Sequence, residues 1–198
     1  MVENNNVNIV TRGDLKRFLD VERTFYIPRN RQKRWYLYLT NDIQVQIWRF
    51  QKRLRVGEYW FNNRHRSLFH YLIFLWKYRM KNNAGGRLGI SIAENCCDIG
   101  LRIYHEGIII NGHARIGKNL HLHGRNCIGN RGMTGVKDEK NWATPVIGDN
   151  VEFGMGATAI GGITIADDVT IGAGAVVVKS CSCQGGTLIG VPARLYKS

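Results

Sequence analysis

From Ile147 onward an apolar or small residue returns at every sixth position: Ile147, Phe153, Ala159, Ile165, Ile171 and Val177. Two places before each stands another, in Pro145, Val151, Ala157, Ile163, Val169 and Ala175. An earlier run, Ile110, Ile116, Leu122 and Ile128, keeps the same spacing. A period of six suits neither a helix at 3.6 nor a simple strand at 2. It suits a short strand and a turn repeated around a prism, three strands to a coil of about 18 residues. The recurring apolar residue points into a narrow core, and the Gly or Asn behind it lets the chain turn a corner. Residues 85–198 therefore read as a left-handed parallel β-helix, and the fold class as mainly β with an N-terminal α-helical domain.

Before residue 85 the pattern is helical. Leu15, Phe18 and Leu19 mark a first helix over Thr11–Glu22. Asn41 or Asp42 caps a second, in which Ile43, Ile47, Phe50 and Leu54 form one stripe and which Gly57 ends. A third runs from about Asn63 to Lys81, with Leu68, Tyr71, Leu72, Leu75 and Trp76 on one face. Asn82–Gly86 reads as a helix stop and linker, so residues 1–84 form a domain of three short helices. Inside the repeat, the polar stretch Arg131–Trp142 breaks the period and predicts a loop over about 130–144 that stands off the solenoid.

Charge is divided unevenly. Of the net +13, residues 1–89 hold +12, with 18 Lys+Arg against 6 Asp+Glu. That imbalance points to an anionic partner, or is only a solvated basic surface. MVENNNVNIV lacks the basic start and apolar run of a signal peptide. The longest apolar stretch, Leu68–Trp76, is about half of the ~20 residues a membrane span needs. The expected location is cytoplasmic, with Leu68–Arg79 able to lie on the inner membrane face. No nucleic-acid motif is present, so nucleic acid is not an expected partner. Five cysteines without regular spacing suit reduced thiols.

These repeats, the segment Gly100-Leu101-Arg102-Ile103-Tyr104-His105-Glu106-Gly107 and the closing Gly190-Val191-Pro192-Ala193-Arg194 resemble the hexapeptide-repeat acyltransferases. Within them the chain is similar to the serine acetyltransferase branch, and most of all to relatives that O-acetylate capsular or exopolysaccharide sugars. Phe50–Tyr78, with Gly57-Glu58-Tyr59-Trp60, looks like the helical leader of those relatives. The resemblance implies a homotrimer with acetyl-CoA in the groove between neighbouring β-helices.

Acetyl transfer to a hydroxyl needs a base that is free near pH 7, for which histidine is suited. His105 stands where the resemblance places the catalytic histidine. It also interrupts the repeat, since Ile103 and Ile110 are seven residues apart rather than six, and the resulting bulge re-aims a side chain. His123, one coil on, contacts the acceptor, orients His105, or is a stacked interface residue. The carboxylate partner of His105 is open between Glu106 and Glu94. His113 and His121 look peripheral, and the spacings fit no zinc site, so no metal is expected. Gly154, Gly156, Ala157, Gly172 and Ala173 fit the Gly/Ala corners against which this family lays coenzyme A. Lys179 and Arg194 suit its phosphates. Trp142 stacks on a sugar or adenine ring, or anchors its own loop.

Three departures from the serine branch bear on the acceptor. Tyr104 replaces the Asp before the catalytic histidine, Ile90 replaces an Asp fifteen residues upstream, and Ala143-Thr144 replace an Arg-His pair before Pro145. Those missing groups would hold the charges of free serine, and a buried zwitterion without partners costs several kcal/mol or more. Tyr104 then belongs to the acceptor pocket. The expectation is acetyl transfer to a sugar hydroxyl in surface or capsular polysaccharide biosynthesis. The alternatives are a serine O-acetyltransferase and, from another class, a non-catalytic trimeric scaffold.

Overall fold

A computed structural model describes residues 8–132 and 142–197. Most of the expected projecting loop, residues 133–141, lies outside the described residues.

Four helices come first: α1 (Arg12–Tyr26), α2 (Arg31–Leu39), α3 (Ile43–Asn63) and α4 (Leu68–Leu88). Thr11 and Asp14 form a reciprocal capping box on α1, Asp42 caps α3 through the Gln44 N–H, and Ser67 caps α4. The stripe read from α3 is its core face, with Ile47, Phe50 and Leu54 all buried.

Three expectations fail here. Among the described residues the helices number four, because α2 was missed; it buries no residue, so its sequence carries no core stripe. Gly57 does not end α3 but lies buried inside it, where a Cβ would meet Glu94 Oε1 at 3.5 Å. Asn82–Gly86 is not a linker but the last turns of α4, which stops at Gly89 in the left-handed conformation. Gly85 belongs there because a Cβ would lie 2.3 Å from the Ile90 carbonyl oxygen, where the chain enters the first coil.

The rest is a solenoid of very short strands: β1 (Ser91–Ile92), β2 (Arg102–Ile103), β3 (Ile109–Ile110), β4 (Arg115–Ile116), β5 (His121–Leu122), β6 (Cys127–Gly129), β7 (Val146–Ile147), β8 (Glu152–Phe153), β9 (Thr158–Ile160), β10 (Thr164–Ile165), β11 (Thr170–Ile171), β12 (Val176–Val177), β13 (Thr187–Ile189) and β14 (Arg194–Lys197). They build three sheets, ordered β1-β3-β6-β9-β12, β4-β7-β10 and β2-β5-β8-β11-β13-β14. Every pairing is parallel except β13 with β14. From β2 to β12 successive strands visit the sheets in rotation, so the solenoid has three faces.

Both six-residue series are buried throughout, as their spacing predicts. At the corner between the second and third sheets, Asn119, Asn150 and Asp168 take positive φ. Their side chains form a ladder, Asn119 donating to Asn150 and Asn150 to Asp168, each at 2.8 Å.

The helices close the solenoid's first coil. Strand β2 is the last in its sheet, and its outer edge would leave backbone groups unpaired. Gln51 donates to the Leu101 carbonyl at 2.6 Å, the Ile103 N–H donates to the Tyr26 hydroxyl at 2.7 Å, and Gln44 donates to the Tyr104 carbonyl at 3.0 Å. Beside them Arg55, fully buried, binds Glu22 at 2.6 Å and Glu58 at 3.0 Å and donates to the carbonyls of Cys97 and Asp98, both at 2.8 Å. Burial opposes its charge, yet the two carboxylates hold its pKa above the ordinary value. One continuous hydrophobic cluster runs from Tyr26 through the solenoid to Leu188.

Candidate active site

The turn leaving the third sheet for the first repeats down the solenoid, and its positions are fixed by register. The N–H groups of Tyr104, His123, Gly154 and Gly172 donate in turn to the carbonyls of Leu122, Phe153, Ile171 and Leu188. These four residues therefore stack in one column, with neighbours about 5 Å apart. The next position down the turn holds His105, Gly124, Met155 and Ala173.

The bulge expected at His105 is present. Ile103 pairs with Leu122 but Ile110 with Ile128, so one extra residue lies between Ile103 and Ile110. His105 is exposed on that turn. Gly124, at φ +120, permits it: a Cβ there would come within 2.8 Å of the His105 Cβ.

His123 is the better held of the two. Its Nε2 lies 2.6 Å from Glu152 Oε1, and its ring stacks on Tyr104 at 4.4 Å between centroids and 14° between planes. His121 meets the same tyrosine edge-on at 6.0 Å, and the Arg102 guanidinium covers the tyrosine at 4.4 Å. Burial, and then the Arg102 charge, hold the His121 pKa below the ordinary value. A carboxylate oxygen only accepts, so the hydrogen of this contact sits on Nε2. Both His123 and Glu152 remain partly open to solvent.

Glu152 is the functional candidate that sequence reasoning missed. It is 29 residues from His123, because the chain between β6 and β7 holds more residues than an 18-residue coil needs. Discounting that excess would have set it opposite His121, its partner in the β5–β8 register. The two carboxylates considered for His105 are elsewhere engaged or unpaired with it. Glu94 binds Lys81 Nζ at 2.7 Å, and among the described residues no ion pair joins Glu106 to His105. Glu106 is exposed on the bulge.

Of the residues expected at coenzyme A, Gly154, Gly156, Gly172 and Ala173 share the histidine corner. Gly154 allows close approach between coils, since a Cβ would meet the Ala173 nitrogen at 2.6 Å. Ala157 stands at the end of the same turn with its side chain buried in the solenoid core. Arg194 lies opposite Ile189 in the β13–β14 register, at the lower end of the column. Lys179 follows β12 on the corner toward the second sheet and is not brought to the column. Trp142 is likewise around a corner. It lines an open groove of about 830 Å³ over the first sheet, with Ile109, Asn130, Tyr78 and Lys81 among the other walls. Within one chain, then, the histidines and the small residues come together, and Trp142 and Lys179 lie elsewhere.

Residues 144–179 match the family described as bacterial transferase hexapeptide (six repeats). A serine acetyltransferase of Mycobacterium tuberculosis is 34% identical over 100 residues, 49% of this chain and 41% of that protein. Among solved structures, soybean serine acetyltransferase complexed with serine aligns with a TM-score of 0.67 at 21% identity, covering 92% of this chain and 70% of that one. A serine acetyltransferase complex with CoA aligns at 0.66 and 18%, covering 93% and 70%. The chain spans about two fifths of the length of the mycobacterial relative. Residues 144–179 thus carry the hexapeptide repeat of bacterial transferases, and the fold is similar to that of solved serine acetyltransferases.

Proposed function

We propose that the protein is an acetyl-CoA-dependent O-acetyltransferase working as a homotrimer of left-handed solenoids. The observation that carries this reading is the corner column: two histidines at its upper end, Gly154, Gly172 and Ala173 below them. The thioester lies beside the histidines and the pantetheine arm runs down the small-residue edge toward Arg194. His105 is the base that takes the acceptor's proton as the hydroxyl attacks the acetyl carbon and coenzyme A leaves as thiol. His123 receives the acceptor through Nδ1, its ring held in place by Glu152. Across the subunit boundary, the groove bearing Trp142 forms the facing wall.

The relatives described above are serine acetyltransferases, so the comparisons favour free serine as acceptor over the polysaccharide hydroxyl first expected. A second reading, an uncharged sugar hydroxyl, rests on this chain's own residues. The positions where the resemblance expects acids hold Tyr104, stacked on His123, and Ile90, a buried side chain. Neither neutralises an ammonium group.

Release of coenzyme A thiol from acetyl-CoA tests the activity. His105→Ala is expected to lose on the order of 10²–10⁴-fold in kcat. His123→Ala is expected chiefly to raise KM for the acceptor. Full activity in His105→Ala refutes the assignment of the base, and no turnover by the parent protein with any hydroxyl acceptor refutes the enzyme. Parallel assays with serine and with sugar alcohols choose between the two acceptors.

A further inference from the structure

The apolar face read on α4 is not a core face. Leu68, Tyr71, Leu72, Leu75 and Trp76, spaced as one helical stripe, are all exposed, and Phe69 is exposed beside them. Only the other side of this half-helix is packed, with Phe74 against Phe61 at 5.6 Å between ring centroids. The second half of α4 differs: Lys81, Ala84, Gly85 and Leu88 are buried. The stripe thus belongs to a part of the helix that stands clear of the solenoid core.

Its charged surroundings have a single sign. No Asp or Glu occurs from residue 59 through 93, whereas six Lys or Arg do. Arg66 is exposed just before the stripe, and Arg79 is exposed at its far end. Lys77 lies with its ammonium 4.1 Å from the centre of the Trp76 ring, which leaves its stem along the apolar face. Large aromatic and aliphatic side chains bordered by cations, with no anion among them, complement a bilayer whose surface is negative and whose interior is apolar. Trp and Tyr favour that interface because one end of each ring is polar. The helix lies on such a surface rather than crossing it, since among the described residues no helix is long and apolar enough to span a membrane.

We propose that the first three turns of α4 dock this protein on an anionic membrane surface, with Leu68, Leu72, Leu75 and Trp76 in the acyl boundary and Arg66 and Arg79 on lipid headgroups. The site is independent of the catalytic corner and does not rest on its chemistry.

The test is flotation of the full-length protein with phosphatidylcholine vesicles, with and without about a quarter phosphatidylglycerol, at low and high salt. The protein is expected to float with the anionic vesicles at low salt and to be released by salt. Arg66→Gln with Arg79→Gln should weaken binding roughly 30-fold, taking about 1 kcal/mol for each cation at the surface. Leu72→Glu with Leu75→Glu should abolish it while leaving the thermal melt and thioester turnover unchanged. Equal binding to neutral vesicles overturns the proposal. So does absence of flotation, whether or not light scattering shows a larger assembly that the Leu72→Glu/Leu75→Glu variant dissociates; such an assembly would make the stripe a contact between copies of the chain.

Discussion

Arg55→Met removes the one cation from a fully buried cluster. In the parent protein the guanidinium binds Glu22 and Glu58, donates to the Cys97 and Asp98 carbonyls, and lies 4.9 Å from the Phe18 ring. The methionine fills much of the volume but leaves two buried carboxylates and two carbonyls without the donor they shared. Breaking a buried ion pair from one side costs about 3–5 kcal/mol, out of a typical total of about 5–15. At about 2–4 °C per kcal/mol for a chain of this size, the melting temperature should fall by about 6–20 °C. Scanning calorimetry or circular dichroism at neutral pH measures it, with both proteins at one concentration. Glu58 adds a check of sign. Burial raises its pKa from the ordinary 4.5 despite the neighbouring Arg55. A carboxyl raised on folding contributes stability below the unfolded pKa and loses it as pH rises through the folded value. The advantage of the parent over Glu58→Gln should therefore shrink as pH is raised above about 4.5. A melt of Arg55→Met within about 2 °C of the parent, or an advantage over Glu58→Gln that grows with pH, would refute the reasoning.

Glu152→Gln keeps the shape of the His123 contact but removes its charge; acceptor KM should rise several-fold while the melt stays put, and unchanged kinetics would deny Glu152 a positioning role. Arg102→Gln removes one cause of the depressed His121 pKa, so that imidazole should titrate nearer 6.5 by NMR of labelled histidine. Burial pushes the Cys96 thiol up to about 12 and raises Cys97 as well, so at pH 8 neither should react with a thiol reagent until the protein is unfolded. Gly85→Ala would drive a methyl into the Ile90 carbonyl and should cost about 1–3 kcal/mol in a denaturant titration.

The sequence disclosed the solenoid because its signal is local and repeated: each inward residue announces itself six places after the last. Ile147, Phe153 and Ile171 needed no partner to be read. The site was half legible by the same logic. His105 showed itself by spoiling the period, and His123 by standing one coil away, whereas Glu152 was hidden by the extra residues between β6 and β7. Other misses share a different cause. Helix α2 buries nothing, so hydrophobic spacing could not reveal it. The apolar stripe of α4 had the right period for a core helix and yet faces solvent, since periodicity reports a face and not what covers it. Gln51, Tyr26 and Arg55 meet the first coil from 43 to 77 positions earlier in the chain, and no local pattern encodes such a meeting.

A stack of identical rungs has no intrinsic length; any exposed rung invites one more, from its own chain or from a stranger. Here the upper rung is sealed by Gln51 and Tyr26, and the lower by β14 turning back against β13. Growth is arrested at both poles, while the middle is left uncommitted. An additional eighteen-residue turn spliced between β9 and β12 would lengthen the column without touching either seal, whereas amputating the helices would bare a template on which molecules could polymerise.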